Sequence, residues 1–187
     1  MATGGSQKFS GTAKTLHWIT ALLVLVAILF SFGIIPPGFE GMPLDERLQA
    51  LMIHSGNCVV VLLLTLYRIH YRRTHTPPVY PDTMPDWQKR ASTWNVYGLY
   101  ALLLYQPTIG ILHGLTYVDG DIHPYGLFNL TGLVSSDATL TQIFHVMHAL
   151  GGFAMSALLI VHVAAAMKHW LVDKDTVFQR MLPYGRV

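Results

Sequence analysis

Apolar residues in this chain do not alternate with polar ones; they collect into four long stretches with the charges pushed between them. No Asp, Glu, Lys or Arg occurs in 16–35, 48–67, 91–118 or 138–167. About 20 apolar residues at ~1.5 Å per residue cover the hydrocarbon core of a bilayer, and backbone amides inside it must be satisfied within the segment, so each stretch predicts a membrane-spanning helix. The expected helices run over about 15–36, 48–70, 91–116 and 138–170. The pattern predicts an all-α integral membrane protein, a four-transmembrane-helix bundle forming a single domain over 1–187. The first stretch is longer than a signal-peptide core and ends in Ile34-Ile35-Pro36-Pro37 without a small-residue cleavage site, which predicts a retained helix.

Breaks between the stretches carry turn chemistry. Pro36-Pro37-Gly38 is expected to stop the first helix, Pro77, Pro78, Pro81 and Pro85 to stiffen the second connection, and Asp119-Gly120-Asp121 to open the third. Pro107, inside the third stretch, removes a backbone donor and is expected to kink that helix. Trp18, Trp87, Trp94, Trp170, Tyr100 and Tyr117 fall near the span ends, as an interfacial aromatic belt does.

Charge then orients the bundle. With four spans, the N-terminus, the 68–90 connection and the C-terminus share a face. That face holds Lys8, Lys14, Arg68, Arg72, Arg73, Lys89, Arg90, Lys168, Lys174, Arg180 and Arg186, eleven of the twelve basic residues. By the positive-inside rule it is cytoplasmic, with both termini inside. Its four acids, Asp82, Asp86, Asp173 and Asp175, leave it at +7. The other face sets Glu40, Asp45, Glu46, Asp119, Asp121 and Asp137 against Arg47 alone and stands at −5.

Composition adds exclusions. The chain has 187 residues, 52% apolar and 12% charged, with a mean hydropathy of +0.41, outside the range of a water-soluble globule. A net charge of +2 carries no basic stripe for nucleic acid. A single cysteine rules out an internal disulfide and a CxxCH haem attachment. HExxH, phosphate-loop and dinucleotide signatures are missing, and no carboxylate pair lies inside a span, so hydrolase, kinase and nicotinamide-reductase chemistry finds no support.

The chemistry within the spans is imidazole. His17 and His162 lie at cytoplasmic depth, His54 and His148 at outer depth. His148 and His162 are 14 residues apart on one helix, a rotation of about 1400°, only about 40° short of four turns, and a rise of ~21 Å. Both therefore point to one side of the bundle at two depths. His145 is turned about 100° away from His162. A lone membrane histidine is commonly a packing residue, but four that sort into two equal-depth pairs suggest ligation. Two imidazoles underfill a zinc site, whereas they complete the axial coordination of a haem. Gly56, Gly151, Gly152 and Ala164–Ala166 beside these histidines would let a flat macrocycle approach, or equally serve ordinary helix packing.

At these residues the chain resembles the bacterial cytochrome b561 family, the group that includes superoxide oxidase. The run from His162 through His169 and Trp170 to Arg180-Met181-Leu182-Pro183 is similar to the family's closing signature. Leu16-His17-Trp18 resembles its opening motif, and His54 with Arg68 and Arg72 its second helix. Leu99-Tyr100, Pro107 and Gly110 resemble its third. The similarity covers about 13–185. It implies two non-covalent, bis-His haem b groups with iron held by His17, His54, His148 and His162, a multi-pass protein of the bacterial inner membrane, and ubiquinone as electron acceptor or donor. It also places His169 where family members put a quinone-contacting histidine. Two departures are visible: Thr93 and Val96 stand where the family usually has histidine, and Cys58 where it commonly has glycine.

The expected function is electron transfer across the membrane between an outer-face donor and quinone. Arg68, Arg72, Lys168 and His169 are expected to gather at the inner site for propionate or quinone contacts; alternatively, the two arginines anchor the helix at anionic headgroups. The outer donor is either a partner, such as a c-type cytochrome or a dehydrogenase subunit, or superoxide itself. A cofactor-free structural bundle is the third reading. His113, His123 and His145 receive no role.

Overall fold

A computed structural model describes residues 8–34 and 41–184. Among these, four long helices follow one another: α1 (Gly11–Ser31), α2 (Leu44–Thr74), α3 (Asp86–Thr116) and α4 (Ala138–Lys168), the last continued by a π-helical turn, His169–Asp173. The chain is all-helical, as the hydropathy pattern predicts. Neighbours in sequence pack on one another, and α1 closes the bundle against α4.

The helix ends follow local chemistry. Ser10 caps α1, its Oγ accepting from the Ala13 amide at 3.2 Å. The far end of α1 comes earlier than 36. Gly33 adopts φ +64, and the Phe32 and Ile34 amides bond back to the Ile28 and Leu29 carbonyls, a glycine-terminated cap. The stop expected at Pro36-Pro37-Gly38 lies outside the described residues, as do Ile35, Glu40 and Arg186. α2 and α3 each run beyond the charge-free stretch at both or one end, to Leu44, Thr74 and Asp86. Charge marks where hydrocarbon ends, while the backbone stays helical through the headgroup layer. α3 continues through Pro107.

α1, α2 and the run from Ala138 to Asp173 are long and apolar enough to cross a membrane. α3 is as long as α2 and uncharged over 91–118, but Tyr97, Tyr100, Tyr105, Gln106, Pro107 and His113 dilute its apolarity. Only 6%, 22% and 11% of the apolar windows of the three apolar helices are buried within the protein, so their Leu, Ile and Phe side chains face outward, as in lipid. Leu22, Leu63, Phe153 and Ile160 are all exposed. The small core consists of Val61, Leu103 and Met155, with Leu23, Val24, Ile28, Leu99 and Leu102 packed against it.

Polar contacts stitch the helices. Asn57 Nδ2 donates to the Leu23 carbonyl at 3.0 Å, and Tyr105 Oη to the Met147 carbonyl at 3.2 Å. At one end the C-terminal segment folds across the bundle. Lys14 Nζ donates to the Leu182 carbonyl and Trp18 Nε1 to the Met181 carbonyl, both at 2.9 Å, and Arg180 Nη1 to the Val79 carbonyl. The first turns of α1, the α2–α3 connection and the C-terminal segment thus meet at one end. At the other end the α3–α4 connection forms a cap. Thr131 Oγ1 accepts from the Ile122 amide and donates to the Gly114 carbonyl, and Tyr125, at φ 49, lays its ring over Gly56 of α2.

Candidate functional site

The two expected histidine pairs are both assembled. His17 of α1 and His162 of α4 have ring centroids 6.2 Å apart with planes inclined 52°. His54 of α2 and His148 of α4 are also 6.2 Å apart, inclined 88°. The pairs draw on three helices, with α4 contributing one ring to each. α3 carries none of the four but packs along the whole array: Gly110 is close enough to His148 that a Cβ there would stand 3.2 Å from the ring Cε1.

Surroundings differ between the pairs. His162 Nδ1 lies 3.1 Å from Asn95 Oδ1. Arg68 Nη2 stands 3.5 Å from His17 Nδ1, its guanidinium 5.3 Å from the centre of the Tyr100 ring. The other pair has fewer partners: His54 Nε2 is 3.5 Å from Cys58 Sγ, and Phe30 stacks on its ring at 4.4 Å. His54 Nδ1 and His148 Nδ1 are buried without hydrogen bonds; the Gln106 backbone faces the His148 ring outside hydrogen-bonding geometry.

His145 takes a different partner, as its 100° offset predicts. Its ring pairs with His113 of α3 at 5.6 Å, and His113 also meets Tyr117 at 5.6 Å. Arg72 lies half-buried in the last turn of α2, one turn beyond Arg68. His169 is not an open interfacial side chain. It is 6% exposed, and its Nδ1 contacts Asp175 Oδ2 at 2.6 Å and Asp173 Oδ2 at 3.3 Å. Lys168 neutralises Asp173. Lys174, left-handed at φ 52, reverses the chain so that Asp175 returns to the ring. His169, Asp173 and Asp175 thus satisfy one another.

Two glycines have a use other than clearance for a macrocycle. A Cβ on Gly56 would collide with the Tyr125 ring, and one on Gly151 with Gln106 and Tyr105. Both let another element approach the helix backbone. Sequence reasoning missed Asn95, which looks like one more polar residue at a span end beside Trp94. It also missed Asp175, whose approach to His169 depends on the turn at Lys174.

Comparison with known proteins identifies the family. The family model for prokaryotic cytochrome b561 matches residues 8–184. Cytochrome b561 homolog 1 of Escherichia coli is 26% identical over 178 residues, spanning 94% of this chain and 97% of that one. A probable superoxide oxidase CybB of Yersinia pestis is 27% identical over 183 residues, 96% of this chain and 98% of its own. With helices long and apolar enough for a bilayer, half-buried imidazoles paired at two depths and a match over nearly its full length, the chain belongs to the prokaryotic cytochrome b561 family, inner-membrane proteins that carry electrons by means of b-type haem.

Proposed function

We propose that the chain is one di-haem domain of four membrane spans with both termini cytoplasmic, moving electrons between an outer donor and ubiquinone at the inner face. His17 with His162, and His54 with His148, would each hold one haem b. The observation that carries this reading is the ring geometry. Two imidazoles that held one metal between them, with metal–nitrogen bonds of about 2.0 Å and about 1.1 Å from nitrogen to ring centre, would have centroids roughly 6.2 Å apart. Both pairs stand at 6.2 Å. His162, whose Nδ1 faces Asn95 Oδ1, also fits a ligand that presents Nε2.

Haem supplies one-electron oxidation and reduction. The chain's residues bind and orient it. Arg68 and Arg72, at the cytoplasmic end of α2, are suited to bidentate pairing with a propionate or to polarising a quinone oxygen. His169, with Nδ1 turned to Asp175, keeps Nε2 for a quinone carbonyl and can hand over a proton there. The excess of basic residues in the sequence segments next to the termini and between α2 and α3, eleven of twelve, supports that end being cytoplasmic.

Replacing each histidine by Ala and counting haem by pyridine haemochrome tests the ligand set. His17→Ala or His162→Ala should remove one haem, His54→Ala or His148→Ala the other, and His145→Ala neither. A His148→Ala protein that keeps two haems while His145→Ala loses one would refute the assignment.

At the outer face two donors are open to distinction. The net charge of −5 favours a cationic partner such as a basic c-type cytochrome or a dehydrogenase subunit. The likeness to a probable superoxide oxidase favours superoxide itself. Superoxide is an anion, so steering toward this protein would need a local positive field, for which Arg47 is the basic residue at hand. Stopped-flow reduction of the oxidised protein by superoxide decides: a near-diffusion-limited rate that falls with salt supports the oxidase, and a slow rate that rises with salt supports the partnered carrier.

A further inference from the structure

The two imidazole pairs are alike in spacing but differ in what stands behind the rings, and the difference centres on Asn95 of α3. Its amide bridges two positions of α4: Nδ2 donates to the Leu158 carbonyl at 3.1 Å, and Oδ1 lies 3.1 Å from His162 Nδ1. These contacts fix the amide orientation chemically. The flipped amide would set its oxygen against the Leu158 carbonyl, two acceptors face to face. An amide oxygen only accepts, so His162 must carry its proton on Nδ1, and Nε2 presents a lone pair. Nothing equivalent serves the other pair, where both Nδ1 atoms lack a hydrogen-bond partner.

We propose that Asn95 is the positioning residue of the inner haem, fixing the tautomer and angle of His162 and strengthening the imidazole as a donor through the Nδ1–H···Oδ1 bond. This rests on the ligand reading given above. A histidine ligand whose Nδ1–H is hydrogen-bonded carries more negative charge at Nε2 and favours the oxidised metal. The inner haem therefore has a lower potential than the same haem would have without Asn95. At the other pair the Gln106 backbone faces the His148 ring outside hydrogen-bonding geometry, so the outer haem receives a weaker contribution from behind its ligands.

The test is a potentiometric titration of the purified full chain, followed optically at both haems, with a haem count on the same sample. Asn95→Ala removes the acceptor without adding bulk: the inner haem's midpoint should rise, and its retention should weaken by about tenfold or more. Asn95→Asp places a stronger, charged acceptor behind the His162 ring while giving up the bond to the Leu158 carbonyl: the same midpoint should fall. The outer haem should keep its midpoint in both variants. A merely structural role would not move one haem in opposite directions for the two substitutions. Unchanged midpoints, shifts of the same sign or shifts at both haems would overturn the proposal. So would variants that accumulate less well than His162→Ala, because Asn95 would then be holding helices rather than a ring. The ligand reading fails separately, by His162→Ala retaining two haems.

Discussion

Gly151 and Gly152 are adjacent on α4, three and four residues after His148, yet a methyl group added to them should have unequal consequences. On Gly151 a Cβ would meet Tyr105 Cε1 at 2.6 Å and Gln106 Cδ at 3.0 Å, and would overlap Gln106 Oε1. Tyr105 cannot simply swing away, because its hydroxyl is bonded to the Met147 carbonyl on the same helix that carries the new methyl. An ordinary carbon contact needs about 3.5–4.0 Å, so α3 and α4 must separate by roughly 1 Å or Tyr105 must give up its bond. Overpacking costs about 1–3 kcal/mol, and an interhelical hydrogen bond in a membrane contributes about 0.6 kcal/mol, at most about 1.7. Gly151→Ala is therefore expected to lose about 2–4 kcal/mol. On Gly152 the nearest atom to a new Cβ is Gln106 Nε2 at 3.4 Å, an ordinary contact, so Gly152→Ala should stay within about 0.5 kcal/mol of the parent. The strain in the first variant falls within one turn of His148, so under the proposed ligand set the outer haem should be lost before the inner one on heating. Thermal unfolding in detergent, followed by protein fluorescence and by haem absorbance, measures both effects. A Gly151→Ala protein as stable as Gly152→Ala, with both haems leaving together, would refute the packing described for this seam.

Three further outcomes are expected. Lys174→Gly relieves a left-handed residue at φ 52 and, after the entropy that glycine adds to the unfolded chain, should raise stability by up to about 1 kcal/mol; a clear loss in thermal unfolding would mean that the Lys174 side chain contributes a contact of its own. Asn57→Leu removes both the bond to the Leu23 carbonyl and a buried, unpartnered Oδ1, so stability should change by less than about 1 kcal/mol, and a drop of 2 kcal/mol or more in chemical unfolding would refute the weak-bond reading. Asp175→Leu leaves the buried His169 ring only its longer contact to Asp173, strands the Val177 amide and should cost about 1–3 kcal/mol, whereas Asp175→Asn, which keeps an oxygen in place, should lose clearly less; equal losses in thermal unfolding would show that the hydrogen bonds do not matter there.

The four paired histidines were legible because two physical rules act on them together. A charge-free stretch fixes depth, and 100° per residue fixes direction, so His148 and His162 could be placed on one side of α4 without knowing what they face. The separation of His145 followed from the same rotation. What lay behind the rings was not legible. Asn95 matters because α3 is shifted so that one amide reaches Leu158 and His162, a relation between helices that no periodicity within either helix encodes. Gly56 and Gly151 stayed between two readings for a related reason: a small residue announces that something comes close, and only the packing shows that it is Tyr125 in one case and Tyr105 with Gln106 in the other. The end of α1 was misplaced because Pro36-Pro37 is the louder signal, while Gly33, able to take a positive φ cheaply, closes the helix first.

The spacing of His148 and His162 along α4 carries a voltage. Their rise of ~21 Å is about 0.7 of a ~30 Å hydrocarbon core. One elementary charge crossing the whole core exchanges ~2.3 kcal/mol with every 100 mV, so a charge passing between these two depths exchanges roughly 1.6 kcal/mol. A bacterial inner membrane is negative inside, and in the proposed orientation an electron moving from the depth of His148 to that of His162 would travel uphill in that field. Each 100 mV then shifts the distribution between the two depths by roughly 15-fold toward the outside. An energised membrane would hold back inward electron flow through this bundle, and a depolarised one would release it, with no regulatory domain required.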